Sequence, residues 1–484
     1  MRFATIRLAL VLLGVSVGAC SDDSTPTPDA AISDAVKLDG TSDATTDLGP
    51  PGQPPAIDGL FHDWSGIPAL ATDPAGDGSG GFDLTTVKAT SRGTVVYLYF
   101  DVGQLLNASA GQTSDGTLRV ELSPSSGQKL TIDLRGRTAW AGSDRSQTLR
   151  WSELHYALAP TYASKTFEAR VDLAPVGARP GDTVAVNFGG SDTLATPPTL
   201  PLDAPAIAPP TVRSTDRASG TTYRIASLNT WLDGLTDPTR GVAFGRLIKA
   251  VAADIYCFEE VFNGTAAGIA ADLTSLDPLG DGATWSAYQI GDSLVATRGT
   301  LEGLPAQSIG QQHAGAALTV DGHSVVVFAV RPVCCGYIGD PADAQRIAEM
   351  KLMAATIQKL RAGQLGADLL AHKDAPVVVV GDWNLVGSRT PLDVMLDTTS
   401  GPGLTHWLLR HLRGDDVFTW RSDTAGDFPP GMLDVLVHSP DLTPHNGFVL
   451  DTAELDAATL TQLKLQVADS LASDHLMLVA DFGI

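Results

Sequence analysis

The chain has 484 residues, 43% of them hydrophobic, enough apolar content for two or three compact units rather than one. Its formal charge of −23 excludes a broadly basic surface of the kind that gathers nucleic acid or anionic lipid. Bound metal and a local arginine can still reverse the sign of the field inside one cleft. Past the N-terminal segment no stretch is apolar enough to span a bilayer.

Arg2 and Arg7 precede an apolar run from Leu8 to Val17, followed by small residues and Cys20, the pattern of an export signal. Val17-Gly18-Ala19-Cys20 resembles a bacterial lipobox. That resemblance implies lipidation at Cys20 and a lipid-anchored, extracytoplasmic protein; a plain secretory signal is the competing reading. Ser21, in place of an aspartate, points to the outer membrane or cell surface. Residues 21–55 are rich in Ser, Thr, Asp and Pro and read as a disordered tether, since they have too little to bury. Residues 196–220, where proline recurs, read as a linker. Folded domains are thus expected over 56–195 and 221–484.

The first domain contains short alternating runs at 86–90, 95–101, 118–122, 167–173 and 183–188. Period-two patterning with Gly-, Ser- and Asp-rich breaks predicts an antiparallel β-sandwich. Ile57-Asp58-Gly59, Asp63-Trp64, the stretch Asp73 to Asp83 and the strand Tyr97 to Asp101 together resemble family-9-like carbohydrate-binding modules. The resemblance implies a glycan or cell-surface ligand, with Trp140 available to stack on a sugar and Trp64 more naturally in the core. The loop Asp73-Pro74-Ala75-Gly76-Asp77 offers oxygen ligands suited to Ca2+, although solvated acidic loops are common.

The second domain alternates strand and helix patterns. Residues 242–251 and 343–361 carry helical stripes, the latter through Ile347, Met350, Met353, Ile357 and Leu360. The runs 325–330 and 377–380 are continuously apolar, as in strands covered on both faces. The fold class expected for the whole chain is α+β: an N-terminal antiparallel β-sandwich and a C-terminal four-layer α/β-sandwich, two facing sheets flanked by helices.

Several β-like runs in this domain stop at polar groups: Asn229, Glu260, Arg331, Asp382 with Asn384, Asp434, and Asp474 with His475. Ser-Leu-Asn at 227–229, Glu-Glu-Val at 259–261, Gly-Asp-Trp-Asn at 381–384, Phe-Thr-Trp at 418–420, Leu-Asp-Val-Leu-Val at 433–437 and Ser-Asp-His at 473–475 follow one another as in the endonuclease/exonuclease/phosphatase superfamily. From about Tyr223 onward the chain resembles that DNase-I-like family, which implies a phosphoesterase using Mg2+ or Mn2+. By the resemblance, Glu260 is the principal metal ligand, supported by Asn229 and Asp474. Asp382 orients or deprotonates the attacking water, and Asn384 holds that water or the phosphate. His475 contacts the phosphoryl oxygen, and Asp434 fixes its tautomer and favours its charged form.

Arg331 departs from the pattern, standing where the superfamily usually has His or Tyr. Arginine can clamp phosphate through two parallel hydrogen bonds but cannot act as an acid or base, so a non-catalytic surface binding lipoprotein is the alternative reading. Arg346 is expected to brace the site. His313, His323, His372, His406, His411, His438 and His445 lack partner spacing and read as surface or packing residues. Cys257 reads as a buried hydrophobe. Cys334 and Cys335 are left open between a vicinal disulfide, another pairing and thiols.

Overall fold

The computed structural model describes residues 53–203, 211–424 and 426–484. The expected signal, the lipidation site Cys20 and almost all of the tether lie outside these residues. Among the described residues no helix is long and apolar enough to cross a membrane.

The first domain is two facing antiparallel sheets of five and six strands. In the strand Val95–Leu106, Val96, Leu98, Phe100 and Val102 point inward, the period-two consequence of one buried face. The neighbouring strand Phe82–Arg92 buries Phe82 and Leu84, then Val87 and Ala89. That change of parity follows from a register shift between Phe82 and Thr86, since one extra residue flips later side chains to the other face. Phe100 packs against Phe167 of its own sheet and, with ring centroids 5.6 Å apart, against Phe188 of the facing sheet. Trp64 is core, as expected, and its indole donates to the buried carboxylate of Glu168 at 2.7 Å.

The second domain is a pair of mixed six-stranded sheets with the same internal plan. One is built around the parallel pair Tyr223–Asn229 and Ile255–Glu259, the other around His323–Val330 and Val377–Asp382. Antiparallel strands flank each pair. In the first pair Ile225 and Cys257 face the core between the sheets, while Ala226, Leu228, Tyr256 and Phe258 face the layer holding helices Gly241–Val251 and Ala266–Leu276. The long helix Pro341–Arg361 packs Met350, Met353, Ile357 and Leu360 into the core of the second sheet. Both expected helices therefore form, and the four-layer expectation holds.

Two expectations are corrected. Residues 473–475 are not a strand; they lead into one at Met477–Gly483. The linker 196–220 is shorter than its proline content implies. Thr199–Pro201 pairs with Thr183–Ala185 as an edge strand of the sandwich, where proline is tolerated because one side needs no ladder hydrogen bond. At the other end the Arg213 amide donates to the Leu412 carbonyl, and its guanidinium to the carbonyl of His411.

Candidate active site

Parallel strand pairs end at a common edge, and that topology gathers the polar run ends. Asn229 closes one strand and is in register with Glu259, one residue before Glu260. Asp382 closes another and is in register with Asp434, which opens the antiparallel strand Asp434–His438. Leu478 pairs with Ser227, so Asp474 and His475 enter at the same edge. Glu260 and Asn384 adopt left-handed backbone conformations, φ +59° and +47°, which turn the chain out of the strands at the site. Such geometry in non-glycine residues is maintained only where surrounding contacts enforce it.

His475 and Asp434 form a buried pair, with Nδ1 2.8 Å from Oδ2. Asp434 is held by its own amide, which donates to Thr419 Oγ1 at 2.8 Å, as does the Leu433 amide at 3.0 Å. His475 Nε2 lies 3.8 Å from Asp382 Oδ2. Burial by itself disfavours the imidazolium, but Asp434 and Asp382 outweigh it and lift His475 to about 10. Asp382 is pushed up to about 6, chiefly by burial and against the pull of His475.

Asn229 spans two carboxylates, its Nδ2 donating to Asp382 Oδ2 at 3.1 Å and to Glu260 Oε1 at 3.2 Å. Its Oδ1 accepts the Trp231 amide at 2.9 Å. Expected as a supporting metal ligand, Asn229 therefore presents its nitrogen rather than its oxygen to this space and aligns the two acids. Asn384 Nδ2 donates to Asp382 Oδ2 at 3.0 Å and to the Pro332 carbonyl at 3.1 Å. Arg331 Nη2 donates to Glu260 Oε1 at 3.2 Å and Nη1 to Asp292 Oδ2 at 2.7 Å. Arg346 is fully buried and donates to the carbonyls of Val333 and Cys335, bracing the loop that follows Arg331, as expected.

The donor set suits a hard divalent cation, which prefers carboxylate and other oxygen ligands. Glu260 and Asp474 supply carboxylates at this edge. Asp474 Oδ2 accepts the Trp420 indole at 3.0 Å, whereas Asp474 Oδ1 is buried without a hydrogen-bond partner among the described residues, a position that a cation would satisfy. In the sandwich, Asp73, Asp77 and Asp192 bring carboxylate oxygens within 4.8 Å of one another, adding Asp192 to the loop expected to suit Ca2+. Trp140 is half-buried, with the Arg145 guanidinium 4.8 Å from its ring centroid.

Some contributors were not legible as site residues. Asp292 follows a turn glycine and carries no motif. His313, read as a surface or packing residue, is buried and accepts the Arg331 amide at Nδ1; burial pushes it down to about 4. Glu259 is fully buried, and burial followed by repulsion from Asp434 and Asp382 holds its carboxyl well above the usual range. The signal for Thr419 and Trp420 was present in the Phe-Thr-Trp motif, but not their partners. Cys257 is buried as expected, and Cys334 and Cys335 lie on the Arg331 loop with sulfurs 2.7 Å apart.

The profile of the Endonuclease/Exonuclease/phosphatase family matches residues 226–475. No curated protein matches the chain. Among solved structures, a Leptotrichia buccalis protein of that family is similar at 13% identity and TM-score 0.36, covering 54% of this chain and 100% of its own. The Bacteroides thetaiotaomicron mannosyl-6-phosphatase is similar at 13% identity and TM-score 0.35, covering 54% and 100%. Truncated Caenorhabditis elegans TDP2 has 18% identity and TM-score 0.35, covering 54% and 98%.

Proposed function

Because the chain belongs to the endonuclease/exonuclease/phosphatase family, whose members hydrolyse phosphoesters, we propose that it is an extracytoplasmic, divalent-metal-dependent phosphoesterase of phosphodiesterase or nuclease type. The observation that carries this reading is the buried pair His475–Asp434 beside Asp382, Asn229 and Glu260, brought together from strand ends of the two sheets. Glu260 and Asp474 would hold Mg2+ or Mn2+, which when bound would supply positive charge to the phosphoryl oxygens. Asp382, aligned by Asn229 and Asn384, accepts the proton of the attacking water. His475, kept cationic by Asp434, donates to a phosphoryl oxygen as charge develops there. Arg331 offers a second cation to the same phosphate.

The export-type N-terminus supports a lipid-anchored protein with Cys20 as its anchor, probed by metabolic labelling with a fatty acid. The resemblance of the sandwich to carbohydrate-binding modules supports a glycan or cell-surface ligand. The acidic surface favours small phosphoesters or nucleic-acid fragments over long duplexes.

The test is hydrolysis of aryl phosphodiesters and phosphomonoesters by the chain lacking residues 1–20, with Mg2+, Mn2+ or chelator, beside Glu260→Ala. Metal-dependent turnover abolished by the substitution is the expected result. Turnover that persists in chelator and in Glu260→Ala refutes the assignment.

A further inference from the structure

The sandwich touches the catalytic domain at the loops that present the site. Asn107, almost fully buried, donates from Nδ2 to the carbonyls of Val386 and, at 3.2 Å, Gly387, and accepts the Ile338 amide at Oδ1 at 2.8 Å. One side chain thus ties the loop following Asn384 to the loop following Arg331. The Thr161 hydroxyl lies 2.8 Å from the Leu385 carbonyl and 3.0 Å from the Met432 carbonyl, joining the residue after Asn384 to the segment entering Asp434. The Ala163 amide donates to Gly387 at 2.8 Å. Close packing reinforces these bonds: a Cβ at Gly431 would lie 2.4 Å from Thr161 Cγ2, so this backbone approach requires glycine.

We propose that Asn107 and Thr161 are positioning residues of the active site, and that the sandwich is one of its walls rather than a detachable binding module. This rests on the phosphoesterase reading for its kinetic consequence but not for its structural one. Inside the catalytic domain, Asp343 and Arg346 also hold these two loops, through Ser388, Gly339, Val333 and Cys335. Asn107 and Thr161 add the sandwich's hold on the same loops. Without that second set of contacts, Asn384 and Asp434 keep their chemistry but lose their register with Asp382 and His475. A displacement of about 1 Å can cost roughly a hundredfold in rate.

The experiment uses the chain from residue 21 with Thr161→Val, Thr161→Ser, Asn107→Ala and, as a control at the same interface, Arg137→Ala, whose guanidinium lies over Phe428 at 4.4 Å. Thr161→Val and Asn107→Ala are expected to lower kcat about ten- to a hundredfold with KM within about threefold. Thr161→Ser should restore kcat, and Arg137→Ala should leave it unchanged. Amide hydrogen exchange supplies a readout that needs no substrate: Trp383, Leu433 and Asp434 should exchange at least about tenfold faster in Thr161→Val. Unchanged exchange overturns the proposal, as does a fall of kcat in Arg137→Ala equal to that in Thr161→Val. Loss of turnover in the wild type alone would count against the phosphoesterase reading, while faster exchange in Thr161→Val would still support the wall.

Discussion

Arg331 reaches Glu260 across 3.2 Å and Asp292 across 2.7 Å, so the carboxylate proposed to bind the cation already faces a guanidinium. The Phe262 ring lies under that guanidinium, its centroid 5.6 Å away. A phosphate and a metal at Glu260 would therefore meet a cation held in place.

Arg331→Met removes a like charge from the proposed metal site and a donor from the phosphate site. Mn2+ affinity, measured by calorimetric titration, should tighten by about tenfold, or about 1.4 kcal/mol, while KM for the phosphoester rises. Weaker Mn2+ binding would show that the arginine serves to orient Glu260 rather than to compete for it. Arg331→His separates the charge effect from acid-base chemistry: if arginine grips phosphate, the rate falls, and a faster enzyme would mark arginine as a compromise.

Asp434→Asn leaves the His475 ring in place but takes away the largest influence favouring its charged form. Burial is then opposed only by Asp382 and, more weakly, Asp474, and the imidazole pKa falls. The expected result is a fall in kcat of several orders of magnitude, on the scale of orienting carboxylates in other His–Asp pairs. The alkaline limb of the pH–rate profile should also move from near pH 10 to lower pH. His475→Ala should reduce kcat at least as much with an unchanged circular dichroism spectrum; near-normal turnover would remove His475 from the mechanism.

Glu168 gives the sandwich a pH-dependent stability. It accepts from the amides of Asp58 and Gly59 and from the Trp64 indole, yet burial, followed by repulsion from Asp58, pushes it up to about 8. The folded pKa lies above the unfolded value of about 4.3. Its contribution is thus complete below that lower value and is lost as pH rises towards about 8. Chemical denaturation from pH 4 to 9 should show this decline as about one proton released on unfolding. Glu168→Ala strands three donors and should destabilise by about 3 kcal/mol or more without the pH slope.

Trp231, Leu232 and Phe262 are 43%, 53% and 49% exposed, unusual for such side chains beside a polar site. Leu232 donates its amide to Glu260 Oε2 at 2.9 Å, and Arg240 holds the Trp231 and Leu232 carbonyls. Trp231→Ala and Phe262→Ala should raise KM for aryl or nucleoside esters about three- to tenfold while sparing methyl esters, the scale expected for losing partial apolar burial. Equal losses for both classes would place these residues outside the specificity contact.

Local pattern was sufficient for elements whose residues carry their own signal. Alternation at 95–101, the helical stripe through Met350, Met353, Ile357 and Leu360, and the valine run at 377–380 all produced the element their period implies, because one-sided or two-sided burial is written into the order of side chains. The motif order also placed Asn229, Glu260, Asp382, Asn384, Asp434, Asp474 and His475 in one expected site. Proline at 196–220 misled, because an edge strand tolerates proline as readily as a linker does.

By itself, then, the sequence determined the two fold types, the family-like run of motifs and the chemical identity of the groups. The tertiary structure decided which atoms meet. Whether Asn229 turns its nitrogen or its oxygen to Glu260, that Asp292 completes the environment of Arg331, and that Asn107 and Thr161 touch loops of the candidate site more than two hundred residues away are consequences of sheet register and domain docking. Local side-chain order specifies a period and a buried face, but a contact across such a separation depends on how whole layers settle against one another, and no short stretch of sequence records that.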